Sequence, residues 1–166
     1  MCWAVMRIGV LSDTHSPSVR DLPGRMMDEL GGVDLLVHGG DYDEVSLLDE
    51  LRSLGRPFHG VWGNMDPPEV RRLLPRKEVF KVEGLRIGVA HPAGGGPPFG
   101  IERRVKGELP EADVIIYGHT HRVTNKLRGK VLYLNPGSAT GAFPARHKTF
   151  AILTLDASPS AVVHRF

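Results

Sequence analysis

A chain of 166 residues is long enough to bury one sizeable core, and its 41% hydrophobic and 24% charged residues are ordinary for a globular domain. Its 21 basic and 19 acidic side chains leave a net charge of only +2, which argues against an extended nucleic-acid-binding face. The sole cysteine, Cys2, cannot close an internal disulfide, which fits a reducing, cytoplasmic interior, and no apolar stretch is long enough to span a bilayer.

The opening Met1-Cys2-Trp3-Ala4-Val5 lacks a signal peptide's basic start and long apolar core. Met6 directly precedes the first strand, so the expectation is one domain over 1–166, with 1–5 a non-native or disordered start and translation beginning at Met6 instead of Met1. Arg7 to Ser12 is a short apolar run of the kind a buried parallel strand needs, and it leads into Asp13-Thr14-His15. Strand side chains alternate with period two, so an extended Asp-x-His sends both end groups to one side of the backbone. A carboxylate and an imidazole would thus arrive together at a strand's carboxyl end, where open α/β sheets place their ligands.

From Arg20 to Leu30, apolar Leu22, Met26, Met27 and Leu30 approach a helical stripe, weakened at its start by Pro23-Gly24 and ended by Gly31-Gly32. Val33 to Val37 reads as the second strand, running into His38-Gly39-Gly40-Asp41. Glu44 to Leu54 carries Val45, Leu48, Leu51 and Leu54 at helical spacing and closes on Gly55. Phe58 to Trp62 is the third strand, delivering Gly63-Asn64-Met65-Asp66, and Pro67-Pro68 opens a short helix through Leu73.

Then the pattern changes. Glu78 to Val82 and Leu85 to Ala90 alternate around Glu83-Gly84 as a hairpin, which ends at His91-Pro92. Pro92 to Gly100 is a glycine- and proline-rich loop, and a helix follows from Ile101 to Lys106. Val114 to Tyr117 is a strand delivering Gly118-His119-Thr120-His121. Lys126 to Leu134 reads as a second hairpin around Arg128-Gly129, ending in Asn135-Pro136-Gly137-Ser138, and Phe150 to Leu155 and Ala161 to His164 are closing strands. The first half is therefore βαβα and the second mostly β, with no linker or repeat, a combination that fits a two-sheet α/β sandwich.

Five of these strands end in a polar stretch: Asp13-x-His15, Gly40-Asp41, Gly63-Asn64-x-Asp66, His91, and Gly118-His119-x-His121. Taken alone, any one of them is a polar residue at a strand end. Together they offer carboxylate, imidazole and amide ligands without cysteine, which favours one or two divalent cations of borderline hardness. The series resembles the calcineurin-like metallophosphoesterase superfamily, and more narrowly its small phosphodiesterase branch, which also contains the retromer scaffold subunit. The match follows the family's order over nearly the whole chain.

The resemblance implies a four-layer αββα sandwich of two mixed sheets, with the metal site at the carboxyl ends of the strands. It implies that Asp13, His15, Asp41 and His121 ligate one metal and that Asp41, Asn64, His91 and His119 ligate a second, with Asp41 bridging. Those seven residues would act through the metals and a bridging hydroxide that attacks phosphorus. The residue types suit such chemistry. Two cations about 3.5–4 Å apart repel and need a shared carboxylate between them, while imidazoles and one amide complete the shells without repelling a phosphate anion. His38 and Asp66 read as supports that orient ligands or their loops. His59 and His164 read as structural or surface residues, and Arg71, Arg72, Arg103 and Arg104 as solvated helix faces. His147, beside Arg146, is a candidate to approach substrate.

Two positions depart from the wider family. Many members place histidine after the Gly-Asn, where it can protonate the leaving group, whereas this chain has Met65, which carries no such proton. Relatives usually have glycine after the histidine at His91, where this chain has Pro92. The expected function is a dinuclear metal-dependent phosphodiesterase acting on a small phosphodiester. Mn²⁺ is the first choice of cofactor, with Ni²⁺, Co²⁺, Fe²⁺ or Zn²⁺ as alternatives. A phosphomonoesterase on the same site is one competing reading. A non-catalytic interaction scaffold resembling the retromer subunit is the other. The resemblance also allows a homo-oligomer, and no membrane partner is expected.

Overall fold

In the computed structural model, residues 5–92 and 94–166 are described, so Cys2 and the expected non-native start, apart from Val5, lie outside them. The apolar run before Asp13 forms β1 (Met6–Leu11). It pairs in parallel with β2 (Leu35–His38), which pairs in parallel with β3 (Phe58–Gly60). The closing strands β9 (Thr149–Leu155) and β10 (Pro159–Arg165) extend the same sheet antiparallel on the far side of β1, giving the order β10-β9-β1-β2-β3. The second sheet has the order β4-β5-β6-β8-β7. In it the hairpin β4 (Lys77–Val82)/β5 (Leu85–Ala90) and the hairpin β7 (Thr124–Arg128)/β8 (Val131–Asn135) flank β6 (Val114–Tyr117).

Burial explains why β1, β2, β5 and β6 are apolar on both faces. Ile8, Val10, Leu35 and Val37 meet Ile87, Val89, Val114 and Ile116 between the sheets. Outside the first sheet, α1 (Gly24–Gly31), α2 (Val45–Arg52) and α3 (Pro68–Leu73) bury Met26, Leu30, Leu47, Leu51 and Val70 against Leu11, Leu36 and Phe150. Outside the second, α4 (Ile101–Glu108) places Ile101 and Val105 on Ala90, Ile115 and Tyr117. These are the four layers of an αββα sandwich of two mixed five-stranded sheets, as expected. Helix boundaries differ from those expected by one or two residues in α2 and α4, and by more in α1. The stretch from Val19 to Asp21 is a single 3-10 turn capped by Ser18, and α1 begins only after Pro23, whose missing N–H is harmless at a helix start.

The sheets also share a local frame. Arg7-Ile8-Gly9-Val10 in β1 recurs as Arg86-Ile87-Gly88-Val89 in β5. The Arg7 carbonyl accepts the Asp34 N–H at 2.8 Å while the Asp34 carboxylate accepts the Arg7 N–H at 2.8 Å. Arg86 and Asp113 repeat the exchange at 2.8 and 2.9 Å. Each pair locks the register of one strand against its parallel neighbour, so β1/β2 and β5/β6 enter the molecule in the same way.

Candidate metal centre

The carboxyl ends of β1, β2, β3, β5 and β6 open on one edge of the sandwich, and there the backbone becomes irregular. Asp13 (φ 49°), His15 (45°), Asp41 (61°), His119 (88°) and His121 (56°) all lie in the left-handed region, where non-glycine residues are uncommon. Such outliers persist only where the surroundings over-determine them, and they cluster at functional sites. Here the surroundings are the loops themselves: Gly40 O accepts from Asp13 N at 2.9 Å, and Asp41 O accepts from Thr14 N at 2.9 Å and His15 N at 3.2 Å. Asp13 also reaches the other sheet, its carboxylate accepting the His119 N–H at 3.1 Å. The expectation that Asp13 and His15 share a side because a strand runs through them is therefore wrong. β1 stops at Leu11, and turn geometry aims both groups instead. Gly40 (φ 102°) permits the close approach, since a Cβ there would sit 2.6 Å from His91 Nδ1.

The seven expected ligands come together as two sets. In the first, Asp13, His15, Asp41 and His121 each offer one donor atom, all within 4.8 Å of one another. His15 Nε2 is 3.2 Å from His121 Nε2 and 3.6 Å from Asp41 Oδ2, and His121 Nε2 is 3.4 Å from Asp13 Oδ1. In the second, Asn64 Oδ1 lies 3.0 Å from His91 Nε2 and 3.1 Å from His119 Nδ1, while His91 Nε2 is 3.3 Å from Asp41 Oδ2. Asp41 Oδ2 thus faces an imidazole of each set, its Oδ1 being taken by the Met65 N–H at 2.8 Å.

Each of the four imidazoles has an acceptor on its other nitrogen. His15 Nδ1–H donates to Asp43 Oδ1 (2.9 Å), His91 Nδ1–H to Gly39 O (2.8 Å), His119 Nε2–H to Gly96 O (2.9 Å) and His121 Nδ1–H to Ala142 O (2.9 Å). With those protons fixed, a neutral ring turns a bare lone pair toward the cluster. Bare nitrogens 3.2 Å apart, or facing an amide oxygen at 3.0 Å, repel unless something positive lies between them. The donor set therefore fits cations, and acceptors behind ligating imidazoles are what metal sites use to fix tautomer and ring orientation.

The electrostatics point the same way. Burial pulls the His91 pKa down, but its bond to Asp41, the charges of Asp13 and Asp41 and the Gly39 carbonyl carry it to about 9. Burial also disfavours charge on His15 and His121, and their carboxylate neighbours again prevail and raise both. Burial would lift the Asp41 carboxyl, yet His91, the Met65 N–H and His15 hold it below the usual carboxylate range. A field that retains protons on imidazoles retains cations by the same attraction.

His38 sits beneath the cluster and outside both sets. Burial lowers its pKa to about 3 and keeps it neutral. Its Nδ1 accepts the Gly40 N–H at 3.1 Å, which leaves Nε2–H to donate to Thr14 Oγ1 at 2.8 Å, and it stacks on Tyr42. One neutral ring thereby ties the loop of Asp13 and His15 to that of Asp41. Asp66 accepts the backbone N–H groups of Asp41, Tyr42, Asp43 and Gly63 at 2.7–3.0 Å, holding the Asp41 and Asn64 loops together. His59 pairs with Glu78 and stacks on Phe80, and His164 stacks on Phe150, both away from the cluster. His147 is exposed and shares a cleft with His121.

Several supports escaped the sequence reading. Asp43, which orients His15, had a faint signal as the second acid of Asp41-Tyr42-Asp43. Arg71, exposed as expected, and Arg104, only partly exposed, also act as loop clamps. Arg71 donates to Asp66 O at 2.7 Å and Asn64 O at 2.9 Å while lying over Trp62, and Arg104 donates to Gly95 O at 2.9 Å and Pro97 O at 2.5 Å. Ser138 fixes Asp13 by donating to its carbonyl at 2.7 Å. Clamps on carbonyls leave no pattern in sequence, because any residue supplies the acceptor.

Comparison with known proteins agrees with this geometry. The profile of the calcineurin-like phosphoesterase superfamily domain matches residues 6–158. A probable metallophosphoesterase of Methanocaldococcus jannaschii is 38% identical over 141 residues, covering 81% of this chain and 69% of that protein. A phosphodiesterase of the same organism is 28% identical over 149 residues, covering 82% of this chain and 86% of that protein. The structure of vacuolar protein sorting 29 from Cryptosporidium parvum superposes with a TM-score of 0.78 at 21% identity, covering 98% of each chain, a likeness of fold alone.

Proposed function

The chain belongs to the calcineurin-like phosphoesterase superfamily, a family of metal-dependent phosphoesterases, and from that premise we propose that it is a dinuclear phosphodiesterase. The observation that carries this reading is the arrangement of four imidazoles, each tethered through one nitrogen and turning the other toward one of two donor sets joined at Asp41. Asp13, His15, Asp41 and His121 would hold one divalent cation, and Asp41, Asn64, His91 and His119 the other. When bound, such a pair supplies positive charge for the phosphoryl oxygens and acidifies water into a nucleophile at neutral pH. Mn²⁺ is the proposed ion, because every donor is nitrogen or oxygen.

The chain's own residues set what the site can do. Asp41 and Asp13 supply negative charge to hold cations, while neutral imidazoles and Asn64 keep the total low enough for an anionic diester to enter. Orientation comes from Asp43 and from the carbonyls of Gly39, Gly96 and Ala142, so no ligand must reorganise as substrate arrives. At the position of the usual proton donor, Met65 is 62% exposed and gives the cluster only its backbone N–H. All four site imidazoles are committed to the cluster, which favours esters with good leaving groups over those with poor ones.

The scaffold reading is disfavoured by the completeness of the donor set. Among the described residues no helix is long and apolar enough to cross a membrane. A cytoplasmic location and a homo-oligomeric state are parts of the same proposal. The test is metal content measured by mass spectrometry alongside hydrolysis of bis(p-nitrophenyl) phosphate. The reading expects close to two metal equivalents, activity lost on chelation and regained with Mn²⁺. Full activity after verified metal removal would sink it.

A further inference from the structure

Beside His121 opens a cleft of about 760 Å³, within the roughly 300–1,000 Å³ typical of small-ligand sites. His121 forms part of its wall, and Arg122, Phe143, Arg146, His147 and Arg165 line it with aliphatic and hydroxyl groups but no carboxylate. Arg122, Arg146 and Arg165 are exposed, and among the described residues none pairs with an acid. Most other arginines of the chain behave differently: Arg7, Arg72, Arg76, Arg86 and Arg128 pair with acids, and Arg71 and Arg104 bind carbonyls. Phe143, 92% exposed, stands on the loop whose Ala142 carbonyl orients His121.

Three unpaired guanidinium groups converging on one cleft make a receptor for phosphate oxygens, which they can hold in a bidentate fork. A phenyl ring held out in water beside them offers a face on which a nucleobase can stack. Both features lie on the His121 side of the metal centre, so they would meet the part of a diester that stays behind when the leaving group departs. The net charge of +2 shows that the basic character is local, suited to a short ligand and not to a long duplex.

Resting on the phosphodiesterase reading, we propose that this cleft is a subsite for a nucleotide with its adjoining phosphate, and that the substrates are short oligonucleotides. Phe143 stacks the base, and Arg146 and Arg165 take the second phosphate. The scissile phosphate then lies over the metal centre, and its outer substituent leaves toward solvent on the Met65 side.

The experiment compares three diesters with one leaving group in the Mn²⁺-loaded protein: methyl p-nitrophenyl phosphate, thymidine 5′-(p-nitrophenyl phosphate), and the 5′-p-nitrophenyl ester of a thymidine dinucleotide. In each, water's oxygen joins phosphorus, the bond to nitrophenolate breaks and the protons pass to solvent, so only the retained group varies. We expect kcat/KM to rise along the series, mainly through KM. Phe143→Ala should lower the thymidine-to-methyl ratio about tenfold, and Arg146→Ala the dinucleotide-to-thymidine ratio about tenfold. Arg25→Ala, an exposed change on α1, should move neither ratio. If all three esters are cleaved at equal kcat/KM, or the variants leave both ratios unchanged, the subsite is overturned and the phosphodiesterase reading stands. If none is cleaved, that reading falls and the subsite with it.

Discussion

The β1/β2 and β5/β6 pairs start from one frame and end in opposite chemistry. Both begin with Arg-Ile-Gly-Val, both lock an arginine to an aspartate one strand over, and both pack the glycine against a leucine, Leu30 in α1 and Leu109 just after α4. At their carboxyl ends, β1 and β2 deliver the buried carboxylates Asp13 and Asp41 together with one imidazole, His15, whereas β5 and β6 deliver only imidazoles, His91, His119 and His121. The shared frame brings the ends level, and the difference supplies carboxylate charge from one side and only imidazole nitrogens from the other. Two acidic halves would over-bind cations and repel a diester. Two histidine halves would leave paired cations without a shared anion.

Removing what joins the halves should have the largest effect. Asp41 is the carboxylate that faces imidazoles from both sets, so Asp41→Asn should cost metal at both sites and reduce turnover by more than about a hundredfold, the upper end for losing a mere support. His38→Ala should fall well short of that. Two metals and near-normal rates in Asp41→Asn would dissolve the joined-halves picture. Chelation should match the loss in the native protein. Because His91 in the metal-free state holds its proton up to about pH 9, reloading should release protons, and apparent affinity should increase as pH rises toward that value.

Neither half supplies a proton donor at Met65, and general acid catalysis typically contributes about 10²–10⁴-fold. Rates over a series of diesters should therefore depend steeply on leaving-group pKa, with alkyl esters poor and aryl esters good. Met65→His should flatten that dependence at equal metal occupancy. A flat native profile with chemistry limiting would mean that another group gives the proton, and His147 would be the first to mutate.

A smaller effect separates the halves themselves. The His15 imidazole is oriented by a side chain, Asp43, whereas those of His91, His119 and His121 are oriented by carbonyls that no substitution removes. Asp43→Ala should weaken binding of one metal about 10–100-fold and leave the other, seen as a two-step metal titration. Equal weakening at both sites would show that the sets act as one.

The grouping of seven candidate donors at one edge was legible because each follows a short apolar run with glycine, and that pattern survives in one dimension. Legible for the same reason were the two sheets and the hairpins, set by alternation and by turn residues such as Glu83-Gly84. What aims the ligands was not. Asp13-Thr14-His15 looks like a continuing strand, and only the tertiary bonds to Gly40 and Asp41 force it into the left-handed region. Arg71 and Arg104 sit at helix positions indistinguishable by pattern from Arg72 and Arg103, yet only they reach across to loop carbonyls. The repeated Arg-Ile-Gly-Val was in plain view, but four residues acquire meaning as a repeat only once Asp34 and Asp113 are seen making the same exchange.

That shared frame makes the smallest and most local prediction. A Cβ on Gly9 would lie 2.8 Å from Leu30 Cδ2, the far end of a flexible side chain on α1 that can swing aside. On Gly88 it would lie 2.9 Å from Ala112 Cβ and 3.0 Å from Leu109 Cδ1. Ala112 has no rotamer to change, so relief there requires the backbone leading into β6 to move. Overpacking a tight core costs about 1–3 kcal/mol. Gly88→Ala should sit near the top of that range and Gly9→Ala near the bottom, measured by urea unfolding of the metal-free variants. The backbone beyond Ala112 leads through β6 to His119 and His121, so Gly88→Ala should also weaken metal binding more than Gly9→Ala does. Equal stability losses would mean that the two helix seats yield alike, and that the halves differ only at the ends of their strands.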